Sequence, residues 1–127
     1  MSDLFEGLSE DERARLREAD VPEWTQPMLA TLTHEPFSDA GWIYERKLDG
    51  LRLLVFRQAG GVRLVTRNRK ERSGTWPHVT EALASADGVD LVADGEMVTF
   101  AGDVTSFSRL QERMQIRDEQ EARKMAR

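Results

Sequence analysis

A lysine at the end of a strand, followed by a tight turn and a returning arginine, is placed for nucleophilic chemistry on a phosphate. Glu45-Arg46-Lys47-Leu48-Asp49-Gly50-Leu51-Arg52 has that arrangement. A lysine amine attacks only when unprotonated, a state favoured by a nearby cation and by partial burial. Arg52, coming back across the turn, is the candidate cation and also a candidate phosphate ligand. Gly50 is expected to supply a positive φ at the turn and to let a ligand approach the backbone. The short pattern Lys-x-Asp-Gly is also what an ordinary hairpin with an Asp-Gly turn and a cross-strand ion pair presents.

Two further short segments are ambiguous when read alone. Thr66-Arg67-Asn68 puts an arginine at a turn, and Asp94-Gly95-Glu96 puts two carboxylates around a glycine. Read alone, the first is a turn and the second a hairpin tip with a solvated acid. No Gly-x-x-x-x-Gly-Lys loop is present, so phosphate handling would not use a P-loop. His34 and His78 are far apart and the chain has no cysteine, so a histidine or thiolate metal centre is not expected.

The elements that must position these residues can be read from pattern. Ser9-Glu10-Asp11-Glu12 forms a capping box that opens a helix ending before Pro22. Residues 23 to 41 hold Pro27, Pro36 and Gly41 and read as extended chain and turns. Trp42 and Tyr44, then Leu51, Leu53 and Val55, then Val62, Leu64 and Thr66 alternate as three strands, with turns at Asp49-Gly50 and Gly60-Gly61. Pro77 to Ala86 reads as a helix with proline in its first turn. Residues 90–93 and 96–100 read as two strands joined around Asp94-Gly95. Residues 105–115 read as a helix with Phe107, Leu110 and Met114 on one face. Residues 118–127 read as a frayed helix or a ragged end. Trp24, Trp42 and Trp76 are expected to serve packing rather than base stacking. The expected fold class is α+β, a mostly antiparallel sheet with packed helices.

Charge is unevenly distributed. The 127 residues carry a net charge of −5, which does not suggest a nucleic-acid binder. Residues 1–21 hold Asp3, Glu6, Glu10, Asp11, Glu12, Glu18 and Asp20 against Arg13, Arg15 and Arg17. Residues 57–72 hold Arg57, Arg63, Arg67, Arg69, Lys70 and Arg72 against Glu71 alone. A local basic island contacts phosphates even on an acidic chain, although a solvated arginine-rich strand and turn looks the same in sequence. No apolar stretch is long enough to span a membrane and no secretory signal is visible, so a cytoplasmic protein is expected.

The octet around Lys47 resembles the nucleotidyltransferase motif of ATP-dependent DNA ligases, RNA ligases and messenger-RNA capping enzymes. Gln26-Pro27-Met28-Leu29-Ala30, Thr66-Arg67-Asn68, Asp94-Gly95-Glu96 and Ser106-Phe107-Ser108-Arg109-Leu110-Gln111 are similar, in order, to further segments of the bacterial non-homologous end-joining ligases. The likeness covers roughly residues 22 to 115. It implies a partial ATP-grasp-like adenylation domain over residues 23–127, preceded by an acidic helical extension over residues 1–22. It also implies that Lys47 attacks the α-phosphorus of ATP and forms lysyl-AMP for transfer to a DNA 5′-phosphate. Glu45 would lie beside the adenine, Arg52 would contact the ribose or phosphates, and Arg67 a phosphate. Glu96 would reach the ribose or the metal, and Asp49 would orient the lysine loop or assist the metal. ATP and Mg2+ or Mn2+ are the implied cofactors. Nicked or broken double-stranded DNA and end-joining proteins are the implied partners, with no membrane. An RNA ligase or capping-type enzyme, and a non-catalytic remnant that binds nucleic acid weakly, stay open as alternatives. The family's adenine-stacking aromatic, second glutamate motif and lysine pair do not appear before Arg127. The chain is therefore expected to be a truncated domain that scarcely adenylates itself.

Overall fold

A computed structural model describes residues 7–86, 90–116 and 118–125. Asp3, Glu6 and Arg127, named above, lie outside those residues.

The sheet is organised around one apolar strand. Leu51–Gln58 forms β1, which turns through Ala59 and Gly60, at φ of 49° and 77°, into β2, Gly61–Thr66. Positive φ at both turn positions is the geometry that matches hairpin twist, which is why glycine occupies one of them. The third strand, β3, is Leu91–Met97 and pairs with the other edge of β1, so the antiparallel order is β2-β1-β3. The register sets Leu53 opposite Thr66 and Gly95, and Arg52 opposite Glu96.

Both faces of β1 are covered along part of its length. On one face Leu53 and Leu64 pack with Trp76 and Leu110, joined by Val79, Leu83, Phe107 and Met114. Those residues come from Trp76 itself and from α2, Pro77–Ser85, and α3, Phe107–Met114. Pro77 sits at the first helical position of α2, where its missing amide hydrogen costs no bond. Arg57 is buried and its guanidinium donates to the Ala86 carbonyl at the C-terminal end of α2, where a cation complements the helix dipole. On the other face Leu54, Phe56 and Val65 pack with Val21, Trp24 and Val92. A last helix, α4, Glu119–Met125, docks on α2 through Arg123, which pairs with Glu81 and Glu119 at 2.5 and 2.8 Å. The α+β class with an antiparallel sheet and packed helices is thus as expected.

Several elements differ from the sequence reading. Residues 42–49 lie outside the sheet, because both edges of β1 are already taken by β2 and β3. Asp49-Gly50 is therefore a lead-in to β1 rather than a hairpin turn, and Gly50 is not among the glycines with positive φ. Asp94-Gly95 is not a turn either. It continues through the middle of β3, because β1 offers partners at Leu54 and Leu53. A small hairpin, β4 (Phe100–Ala101) with β5 (Val104–Thr105), follows it and was not foreseen. The N-terminal helix, α1, covers only Glu10–Arg13. Its capping box is present, with the Glu12 carboxylate accepting from the Ser9 amide at 2.8 Å. It buries no residue, however, and a helix without a packed face does not propagate far in water. Among the described residues no helix is long and apolar enough to cross a membrane.

Candidate active site

Arg52, Leu54 and Phe56 share one face of β1 because side chains alternate along a strand. The partners opposite them on β3 are Glu96, Asp94 and Val92. Packing from Val21 and Trp24 covers the Phe56 end of this face. Its other end is polar and carries Arg52, Asp94 and Glu96.

The Arg52 guanidinium holds Asp94 in a two-pronged ion pair. Its Nε donates to Oδ1 at 2.9 Å, and a terminal nitrogen donates to Oδ2. That bond raises the acidity of Asp94, whose carboxyl is held below its usual range, and pushes the Arg52 guanidinium above its own. Glu96 behaves in the opposite way. Burial pushes its carboxyl up, and the charges of Lys47 and Arg52 together with the Gly50 amide only partly offset this. Two carboxylates on one strand, two residues apart, are thus set to different acidities by their surroundings. Arg52, the candidate cation of the sequence reading, is engaged by Asp94 in a cross-strand ion pair.

Lys47 reaches this wall from an exposed loop. Two contacts tie that loop to the β4–β5 hairpin. The Asp49 amide donates to Thr105 Oγ1 at 3.3 Å, and Arg46 donates to the Asp103 carbonyl at 3.5 Å. Gly50 makes the junction with β3 possible. A Cβ there would lie 2.8 Å from Val98 Cγ1 and 3.0 Å from Glu96 Cγ, and closer still to the Met97 carbonyl oxygen. The need for glycine comes from this close approach and not from φ.

The structure therefore brings Arg52 and Glu96 onto one strand face, with Asp94 as an added member and Lys47 within electrostatic reach of Glu96. Asp94 was read in sequence as part of a turn, and its place on the same strand face as Glu96 emerges only from the β1–β3 pairing. Thr105 and Asp103 carried no signal. Glu45 and Arg67 are exposed, and neither makes a hydrogen bond or ion pair among the described residues. Arg67 occupies a turn fixed by the Arg69 amide donating to the Thr66 carbonyl at 2.8 Å and the Lys70 amide donating to Thr66 Oγ1 at 3.1 Å. That turn follows the second strand of the sheet, not the third. The Asp49 carboxylate has no partner among the described residues.

Among the described residues no three carboxylate or imidazole side chains gather into a metal cage. Magnesium is commonly bound by one or two carboxylates together with substrate phosphates. Glu96 and Asp49 are the carboxylates expected in that partial role.

Comparison with known proteins places these features in a family. The family model described as "ATP dependent DNA ligase domain" matches residues 27–127. The multifunctional non-homologous end joining protein LigD of Pseudomonas aeruginosa is 42% identical over 78 residues, which is 61% of this chain and 9% of that protein. DNA ligase C1 of Mycolicibacterium smegmatis is 40% identical over 74 residues, covering 58% of this chain and 21% of that one. The SPbeta prophage-derived DNA ligase-like protein LigB of Bacillus subtilis is 34% identical over 91 residues, 71% of this chain and 33% of that one. The crystal structure of the ligase domain from M. tuberculosis LigD is 35% identical, covers 58% of this chain and 24% of that chain, and superposes with a TM-score of 0.47. The chain spans well under half the length of each of these proteins.

Proposed function

Because the chain belongs to the family of ATP dependent DNA ligase domains, we propose that Lys47 is the nucleophile that takes AMP from ATP. The Lys47 amine, having given up a proton to solvent, attacks the α-phosphorus of ATP. A nitrogen–phosphorus bond forms, the bond to the bridging oxygen breaks, and pyrophosphate leaves. A DNA 5′-phosphate oxygen then attacks the lysyl-AMP phosphorus and frees the lysine. The 3′-hydroxyl across the nick attacks the activated 5′-phosphorus, joining the strands and expelling AMP. The substrate is nicked or broken duplex DNA, and end joining is the process it serves.

This chain's residues have distinct parts in that sequence. The loop from Arg46 to Asp49, tied to the β4–β5 hairpin, presents the lysine. Arg52 lies against the ribose or phosphates with its orientation fixed by Asp94. Glu96 would meet the ribose or the metal ion, and Asp49 would orient the lysine loop or assist the metal. Glu45 lies beside the adenine and Arg67 contacts a phosphate. A divalent ion bound there would neutralise charge on the phosphates. Most of the rate in such a displacement comes from positioning and charge stabilisation.

The single observation that supports this reading best is that Lys47 lies within electrostatic reach of Glu96, on the strand face that carries the Arg52–Asp94 pair. The test uses α-labelled ATP and magnesium. It is applied to the chain and to a chimera in which residues 27–115 replace the matching stretch of a full-length relative. A covalent label is expected that Lys47→Ala lacks. Label retained by the alanine variant, or absent from both proteins, overturns the proposal.

A further inference from the structure

The β4–β5 hairpin has almost no part in the core. Each of its strands has two residues, and Phe100 and Val104 are 53% and 58% exposed. A two-stranded hairpin this short does not stand alone in water, so another element must hold it. That support comes from α3. The Ser106 amide, at the N-cap of the helix, donates to the Thr99 carbonyl at 2.7 Å, and the Arg109 guanidinium donates to the Phe100 carbonyl at 3.3 Å. The helix is itself anchored by Leu110, buried in the main cluster. On its other side the hairpin meets the lysine loop. Among the described residues, both hydrogen bonds from residues 45–49 to the rest of the chain end on it. The Asp49 amide donates to Thr105 Oγ1, and the Arg46 guanidinium donates to the Asp103 carbonyl. Only the first of these uses a side-chain group of the hairpin.

We propose that Thr105 is a positioning residue for Lys47, acting through the backbone of the loop that carries the amine. The Asp49 amide lies two residues beyond the lysine. Pinning it holds the end of the loop that enters β1, next to the close junction of Gly50 with Met97. With Arg46 tied on one side and Asp49 on the other, the lysine sits between two fixed points. Support then runs from buried Leu110 through Arg109 and the hairpin to the loop, so a packed helix sets the place of a side chain on an exposed arm. The hydroxyl is the group that matters. Threonine's branched side chain suits a strand, and valine has the same shape without the acceptor. Asp49 is exposed, so water takes over the broken bond and the fold loses little. What is lost is the register of the loop. Attack on a phosphorus is sensitive to register, and an ångström of misplacement costs on the order of a hundredfold in rate. This consequence rests on Lys47 being the nucleophile, whereas the tether does not.

The test compares Thr105→Val with Thr105→Ser in the full chain and has two arms. Hydrogen exchange at the Asp49 amide reads the tether. Thr105→Val should speed it by about two- to tenfold, the worth of one hydrogen bond. Thr105→Ser keeps the acceptor and should exchange as the parent does. Amides of β1 should be unchanged in both, which separates a loosened loop from a loosened fold. Thr105→Ala, which also lacks the acceptor, takes the place of Thr105→Val if the latter does not fold. Covalent labelling by α-labelled ATP, in the chain and in the chimera described above, reads the consequence. Thr105→Val should slow labelling at saturating ATP by roughly tenfold, between the loss of one bond and an ångström's misplacement. Its KM for ATP should stay within about twofold of the parent, because the loop is not what binds the nucleotide. Thr105→Ser should restore the rate. The proposal is overturned if Thr105→Val exchanges or labels as the parent does, if its defect lies in KM alone, or if Thr105→Ser is as slow. A label lost with Lys47→Ala but untouched by Thr105→Val removes Thr105 and keeps the nucleophile. A label that survives Lys47→Ala, or is absent throughout, removes the nucleophile and the positioning role with it, while exchange still reads the tether.

Discussion

The candidate active site joins two unlike regions. Its wall, Arg52, Asp94 and Glu96, stands on strands paired on both sides of β1 and backed by the cluster around Leu53, Leu64, Trp76 and Leu110. Its nucleophile hangs on the segment from residue 28 to residue 48, where Met28, Leu32 and Ile43 are 85%, 81% and 89% exposed. Apart from the Arg46 bond to the Asp103 carbonyl, that segment's described contacts are local, chiefly an aromatic knot with Phe37 against Trp42 at 5.0 Å and the Tyr44 hydroxyl accepting from the Asp39 amide at 2.8 Å. The contrast teaches that sheet packing fixes the groups proposed to hold a substrate, while the proposed nucleophile sits on a loop held by two hydrogen bonds and one close backbone junction. Segments with few buried contacts open at low free-energy cost.

The sharpest test of this contrast compares two aliphatic truncations. Leu64 is 1% exposed in the main cluster. Leu64→Ala should destabilise the fold by about 2–5 kcal/mol, the usual cost of emptying a packed site. Ile43→Ala, on the arm, should stay within about 0.5 kcal/mol of the parent. Urea unfolding measures both. An equal cost for the two would mean that the arm is packed in solution and that the contrast is wrong.

Particular residues explain what sequence made legible. Pro77 at a helix start, and Phe107, Leu110 and Met114 at helical spacing, are local signals that tertiary structure had no reason to override. The Gly60 turn joins strands adjacent in sequence, so its meaning is local too. The errors share a cause. Trp42 and Tyr44 alternate like a strand, but a strand needs a free edge, and β3 occupies it from some forty residues downstream. Asp94-Gly95 looks like a turn until β1 offers it partners. Around the site, Lys47, Arg52 and Glu96 were legible as motif residues. The bond from Arg52 to Asp94 and the bond from Asp49 to Thr105 were not, since each spans at least 42 residues.

The junction between the two regions can be broken at Gly50. A methyl group there overlaps the Met97 carbonyl and crowds Val98 and Glu96. Gly50→Ala should cost about 1–3 kcal/mol, as overpacking does, and should move the lysine loop off β3. Gly95→Ala is the matched control, because nothing lies within 4 Å of its added Cβ. Replacing glycine inside a strand should there leave stability unchanged or improve it by roughly 0.5–1 kcal/mol. Unfolding midpoints and proteolysis between residues 28 and 48 report the two effects. A neutral Gly50→Ala would show that the loop is not seated against β3.

The smallest effect expected lies within the wall, between carboxylates two residues apart. Glu96 has a carboxyl pushed up by burial. The unfolded chain then ionises this group first as pH rises, so the folded state loses stability from the ordinary glutamate range up to the raised value and stays lower above it. Glu96→Gln removes that penalty, so the variant should melt slightly above the parent near pH 7, with the gain fading as pH falls below the ordinary glutamate range. Asp94 has the reverse sign. Its carboxyl is held down by Arg52, so its contribution is present above the ordinary aspartate range and is lost as pH falls through the lowered value. Asp94→Asn should therefore melt below the parent at pH 7 and converge with it in acid. A Glu96→Gln variant that melts lower at neutral pH would mean that Lys47 and Arg52 outweigh burial. Glu96 would then be a structural ion-pair member, and not a group kept in the wall at some cost to the fold, as functional groups commonly are.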